Sequence, residues 1–394
     1  MGRTLENATH GEVMWAQVDL DAIAHNVREL KKRVGDRVQL MAVIKDDAYG
    51  HGAVQVARVA LQAGASMLAV ARVAEGIQLR RGGIAAPVLL LGYSPASSAT
   101  AIVEHRLTPT ITTLELATAL SAVVQQAGAK PLPVHVKIDT GMGRFGVMPN
   151  EVLELLRALD ALPGLRLEGL FTHLSTADTL DRDYVFWQLS IFRDVLSEVR
   201  AAGFAIPMTH AANSAATIYV PESHLDMVRP GISLYGMQPS AELAPLLPLR
   251  PALSLHSRVG RMCALPAGSS VSYGRTHITT RPTRAALVLL GYGDGYHRLI
   301  SNRGAVLIHG QRCPILGRVC MNQFVVDVTA VDDVRLDDQV VMWGSQGQSA
   351  ISTEEVAGWA QTITNEVLTS LQPRIPRVYL QGGAVLEVQT LTTP

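Results

Sequence analysis

Cysteine is scarce in this chain. Its three thiols, Cys263, Cys313 and Cys320, are odd in number and show no CxxC spacing, so neither a disulfide framework nor a zinc site is indicated. Long apolar runs are missing as well: no stretch of about 18 uninterrupted apolar residues exists to span a bilayer. The first fifteen residues carry Glu6 and Glu12 and no apolar core, unlike a signal peptide. Neither sign of charge is in excess, with 34 Lys plus Arg against 34 Asp plus Glu. That balance argues against an extended surface for nucleic acid or anionic lipid. There is no internal repeat, no low-complexity segment and no GxGxxG fingerprint. A reducing, cytoplasmic address is expected.

Apolar material, by contrast, is plentiful. Of 394 residues 48% are hydrophobic and only 17% charged, enough for two domains with sizeable cores. From residue 13 to 245 short apolar runs alternate with amphipathic segments. Strands are predicted at Gln39–Ile44, Met67–Val70, Val88–Leu91, Thr108–Ile111, Val134–Ile138, Leu167–Phe171, Met208–Ala211 and Met227–Val228. Helices are predicted between them, at Ala22–Arg33, Ala53–Gln62, Glu151–Leu159 and Tyr184–Ala202. Eight such units suit a (β/α)₈ TIM-type barrel. An open doubly wound sheet is the competing architecture, and it would be favoured by the absent GxGxxG. Four prolines between Pro239 and Pro251 mark a linker. The remainder, 246–394, reads as a mainly β domain, with residues 1–12 expected to associate with it.

Several polar segments follow the predicted strands. Met41 to Gly52 reads Met-Ala-Val-Ile-Lys-Asp-Asp-Ala-Tyr-Gly-His-Gly, an apolar strand ending in Lys45. Barrels of this type carry their chemistry at strand carboxyl ends, and an amine in an apolar surround there can become a Schiff-base nucleophile. Val136 to Gly146 ends a strand in a glycine-rich loop with Lys137, Asp139 and Arg144. His173 follows a third strand, Asn213-Ser214 open a short helix, and Arg229-Pro-Gly-Ile232 follow another strand. Helix starts and turn amides with a hydroxyl suit a phosphate. In the second domain Ser272-Tyr273-Gly274 and Gly291-Tyr292-Gly-Asp-Gly-Tyr296 set tyrosines in glycine turns. A phenol serves as a base only if its surroundings lower its pKa from about 10. No metal-binding constellation stands out.

Taken in order, Lys-x-x-x-Tyr-Gly-His-Gly, Lys-x-Asp-Thr-Gly-Met-Gly-Arg, Thr-His, Asn-Ser-Ala, Arg-Pro-Gly, Ser-Tyr-Gly, Gly-Tyr-x-Asp-Gly and Cys-Met resemble the alanine racemases, pyridoxal-phosphate enzymes of fold type III, from Val13 through Arg377. The resemblance implies that Lys45 carries pyridoxal 5'-phosphate and that Tyr49, Ser214 and the amides of Gly231 and Ile232 hold its phosphate. Arg229 would face the pyridine nitrogen and His173 would contact the phenol of Tyr273. Lys45 and Tyr273 would be the two catalytic bases, with Tyr273 supplied by the second subunit of a homodimer whose sites are shared. Arg144 would meet the substrate carboxylate, Tyr292 and Met321 would shape the mouth, and Lys137 matches a position often carbamylated.

Three departures stand out. Asp46-Asp47 follow Lys45 where an Ala-Asn pair is commoner, and Cys320-Met-Asn-Gln323 replaces Cys-Met-Asp-Gln. Asn365 stands where a tyrosine usually crowds the substrate side chain. A carboxamide there opens volume and adds hydrogen-bonding groups, so serine, alone or alongside alanine, is a rival to alanine as substrate. Another barrel enzyme with the same cofactor is disfavoured by the Ser-Tyr-Gly motif, and a non-catalytic cofactor carrier by the full β domain.

Overall fold

The structure, a computed structural model, describes residues 5–391 and divides the chain into two compact units. One comprises Ala22–Ala48 and Gly52–Arg250. It is a closed parallel barrel of eight strands, Gln39–Val43, Met67–Val70, Val88–Leu90, Thr108–Ile111, Leu132–Lys137, Leu165–Phe171, Met208–His210 and Met227–Val228. Closure comes from Gln39–Val43, which pairs with Met67–Val70 on one side (Met41 opposite Met67) and with Met227–Val228 on the other (Leu40 opposite Val228). Met67–Val70 and Val88–Leu90 are buried at every position, as strands packed on both faces must be. Helices such as Leu20–Val34, Val152–Asp160 and Asp183–Ala201 run between the strands.

The second unit comprises residues up to Asp21, Tyr49–His51 and Pro251 onward. Its ten-stranded sheet centres on the long strand Leu253–Leu265, which pairs antiparallel with Met14–Asp19, Thr283–Val288 and Gln339–Gln346. Met14–Asp19 also runs parallel to Arg377–Gln381, which turns back into Ala384–Gln389. The expected start of the barrel at residue 13 is therefore corrected: Met14–Asp19 belongs to the β unit, where Trp15, Ala16 and Val18 are buried. Both of its partners lie more than two hundred residues downstream. The amino-terminal segment ties into the same unit, because Arg258 donates to the carbonyls of Thr9 and Glu12. Among the described residues no helix is long and apolar enough to cross a membrane.

Candidate active site

Lys45 sits half-buried at the carboxyl lip of the first barrel strand, directly after the fully buried Leu40–Ile44. Backbone bonds fix this strand end. The Val43 amide donates to Pro230 (3.0 Å), the Ile44 amide to Ala69 (2.8 Å), and the Tyr235 hydroxyl to the Val43 carbonyl (2.9 Å). The next four residues, Asp46 to Tyr49, all take left-handed conformations with φ of 52 to 54°. Each such non-glycine residue costs roughly 1–2 kcal/mol, so the surroundings must hold the turn in place. Glu75 does much of this, its carboxylate accepting the amides of Asp46 (2.5 Å), Ala71 (2.7 Å) and Arg72 (2.8 Å). The Asp47 carboxylate accepts the amide of Ala53 (2.8 Å), the first residue of helix Ala53–Gln62, and Asp46 lies 3.5 Å from Arg72. The two carboxylates after Lys45 are thus engaged in holding this loop.

Lys45 acts with three further cations on the same group, His173. The Lys137 amine, at the end of strand Leu132–Lys137, lies 5.1 Å from the Phe145 ring and 5.9 Å from Phe171. Burial foremost, then Arg229, Arg144 and Lys45, lower its pKa to about 8 against the opposing pull of Asp139. Arg229 is buried and 5.2 Å from the Phe171 ring, and it donates to the carbonyls of Thr172 (2.7 Å) and Ala211 (3.1 Å). Burial draws its guanidinium down to about 9, still cationic at neutral pH. His173 lies 3.3 Å from Arg229, and burial and the same four cations hold it well below its ordinary range. Arg144 is exposed on the glycine loop. Asp139 organises that loop by accepting the amides of Gly141 (2.9 Å), Gly143 (3.0 Å) and Arg144 (3.1 Å). Burial would raise its pKa, but these amides outweigh burial and leave it lowered.

A capped helix start and a glycine turn meet in the same unit. Asn213 caps the short helix Ser214–Tyr219 by accepting the Ala216 amide (3.0 Å) and anchors itself to the Leu174 carbonyl (3.1 Å). The Ser214 hydroxyl accepts the Gly231 amide at 2.8 Å, beside Ile232 at the start of a one-turn 3₁₀ helix. Lys45, Lys137, Arg144 and Arg229 thus act together at the barrel lip, while Asp47, Glu75 and Asp139 accept backbone amides and Asp46 lies beside Arg72. This donor set fits a phosphate-bearing aldehyde such as pyridoxal phosphate: an amine to bond it, a hydroxyl and turn amides for its phosphate, and a guanidinium nearby.

The β unit holds the other expected residues. Tyr273 is 74% exposed, flanked by Ser272 and Gly274 at positive φ. The Ser272 hydroxyl donates to the Arg318 carbonyl (2.9 Å) and lies 3.3 Å from the Cys320 sulfur. The Tyr292 amide donates to the Cys320 carbonyl (3.0 Å), and the Gly293 amide to that of Met321 (2.7 Å). Tyr273's neighbour, Tyr292 and Met321 are thus drawn together at Cys320. A Cβ on Gly291 would lie 2.2 Å from the Cys320 carbonyl, so this contact demands glycine. Asn365 is half-buried in helix Thr364–Thr369, its carbonyl accepting the Thr369 hydroxyl (2.8 Å). Tyr49 is buried at the end of the left-handed turn.

Residues 18–239 match the profile "Alanine racemase, N-terminal domain" and residues 252–379 "Alanine racemase, C-terminal domain". An alanine racemase from Desulfosudis oleivorans is 46% identical over 94% of this chain and 97% of its own length. One from Desulforamulus reducens is 44% identical over 94% and 99%. The chain belongs to the alanine racemase family. Solved structures agree: the Bacillus anthracis alanine racemase with bound L-Ala-P superposes with a TM-score of 0.91 at 38% identity, covering 96% of this chain and 97% of that one. The Clostridium difficile 630 enzyme gives 0.91 at 36% identity, covering 97% and 99%. As a member of the alanine racemase family the chain is a pyridoxal-phosphate-dependent isomerase. The sequence reading passed over Glu75 and three buried or half-buried groups, His135, Glu168 and His210. His135 was visible only as a polar side chain between Val134 and Val136, and His210, after Thr209, carried no such signal.

Proposed function

We propose that this protein interconverts L- and D-alanine by two bases, Lys45 and Tyr273, on opposite faces of the substrate Cα. The observation that carries the reading is the Lys45 amine at the lip of a closed barrel, acting with Lys137, Arg144 and Arg229 on His173, in a chain of this family. Pyridoxal phosphate, when bound, supplies the electron sink that acidifies the Cα–H. Lys45 Nζ takes or returns the proton on one face and Tyr273 Oη on the other. Arg144 draws the substrate carboxylate, steadied by the loop that Asp139 holds. Ser214, Gly231, Ile232 and Tyr49 hold the phosphate, and Arg229, a poor proton donor, faces the ring nitrogen with His173 beside it. Tyr292 and Met321 narrow the entrance. A shared-site homodimer and a cytoplasmic address belong to the same reading. The exposure of Tyr273 supports the first, and three unpaired thiols with no spanning helix among the described residues are compatible with the second. The named relatives are alanine racemases, so alanine is the substrate assigned. Serine rests on Asn365 alone.

Two experiments test this. Purified protein should be yellow, and borohydride should fix the cofactor to a single lysine. A reduced adduct mapped to any lysine but Lys45 removes the foundation of the reading. Tyr273→Phe keeps the ring and drops the ionisable oxygen, so racemisation should fall by roughly 10²-fold or more while cofactor binding persists. Solvent deuterium exchange at Cα should suffer more from one enantiomer than from the other. Near-normal rates in both directions would eliminate Tyr273 as a base.

A further inference from the structure

Behind Arg229 a line of polar side chains runs down through the barrel. Arg229 Nη1 lies 2.7 Å from His210 Nδ1, and His210 Nε2 lies 2.9 Å from His135 Nδ1. His135 Nε2 in turn lies 3.4 Å from the Glu168 carboxylate. Arginine only donates, so the polarity of the line is fixed from its upper end. His210 must accept at Nδ1 and carry its proton on Nε2. His135 must do the same, presenting its N–H to Glu168. Any other neutral tautomer would set two donors or two acceptors against each other. Burial, foremost, holds both imidazoles below their ordinary range.

Packing preserves the arrangement. Phe171 stacks on His210 with ring centroids 4.7 Å apart. Gly169, in register with His135, leaves room for the imidazole, since a Cβ there would stand 2.7 Å from the ring. Glu168 is 24% exposed, pairs with Arg166 at 3.0 Å, and lines a cavity of about 460 Å³ with Arg80, Glu104 and Arg106. The cavity lies at the amino-terminal ends of the strands, beside Pro87, Thr108 and Pro133.

We propose that Glu168, acting through His135 and His210, orients and counter-charges Arg229, so that a carboxylate at one end of the barrel fixes the guanidinium at the other. The inference rests on Arg229 being the residue that faces the cofactor ring. Glu168, His135 and His210 are positioning residues: no bond is made or broken and no proton moves along the line. Beside the carbonyls of Thr172 and Ala211, the guanidinium gains an acceptor whose electron density is reinforced by a distant negative charge.

Glu168→Gln tests this, because it keeps an acceptor oxygen and removes the charge. In the holoenzyme, nitrogen NMR should show His135 and His210 neutral and protonated on Nε2 at neutral pH. The variant should bind pyridoxal phosphate roughly two- to tenfold more weakly and shift the visible absorbance band. Its kcat should fall by a comparable factor, with KM for alanine unchanged. Glu104→Gln, which removes a carboxylate from the same cavity outside the line, should match the wild type. Wild-type cofactor affinity and absorbance in Glu168→Gln would overturn the proposal, as would an Nδ1–H tautomer or an imidazolium at either histidine. The tautomers are measured again after cofactor removal, so they do not depend on Lys45. A borohydride adduct on another lysine would sink the assignment of the site, and wrong tautomers would sink the relay.

Discussion

The amine of Lys137 is enclosed by two aromatic rings and surrounded by three other cations. Its pKa falls from 10.5 in the unfolded chain to about 8, so between those values the unfolded state holds more protons. Stability therefore rises with pH through that window, by as much as about 3 kcal/mol for this group. Urea unfolding of cofactor-free protein should show the wild type gaining on Lys137→Met from about pH 8 to 10.5. A constant difference would deny the perturbation. The lowered pKa also raises the share of unprotonated amine, the form that adds carbon dioxide to give a carbamate and release a proton. Labelled bicarbonate should then give a carbamate carbon signal that Lys137→Met lacks. Asn365→Tyr should lower the serine-to-alanine ratio of kcat/KM roughly two- to twelvefold, and an unchanged ratio would show that Asn365 does not set specificity. Residues at strand ends beside glycine turns were legible in the sequence because their spacing is local. His135 and His210 were not, since their meaning arises only when barrel closure brings Leu132–Lys137, Leu165–Phe171 and Met208–His210 side by side.

Among the elements, the left-handed turn after Lys45 is the most demanding. It persists because Glu75 gathers three amides and Asp47 satisfies the first amide of helix Ala53–Gln62. Asp47→Ala should cost about 1 kcal/mol, the worth of a helix cap, with Asp47→Asn retaining most of it, as read by chemical denaturation. Equal stability of all three proteins would mean that water replaces the cap at no cost. The barrel strands could be read to within about two residues because each is a short apolar run closed by turn residues. The β unit was less legible. Met14–Asp19 and Arg377–Gln381 pair with each other across nearly the whole chain, and no local window carries that information.

At the scale of the molecule, the two units each hold part of the expected chemistry, and Tyr273 stands 74% exposed on the β unit. If a second copy completes each site, mixing inactive Lys45→Ala with inactive Tyr273→Phe subunits should restore up to one intact site per heterodimer. A fully active monomer at assay concentration would exclude sharing. Formal neutrality over the whole chain conceals local clustering, because Lys45, Lys137, Arg144 and Arg229 act together on His173.

If the Ser214–Gly231 turn holds the cofactor's phosphate as proposed, the cofactor-free protein should also take up small anions. Inorganic phosphate or sulfate in a purification buffer should then compete with loading. Reconstitution should accordingly need more pyridoxal phosphate in phosphate than in an amine buffer, and the choice of salt will alter the measured affinity without any change in the protein.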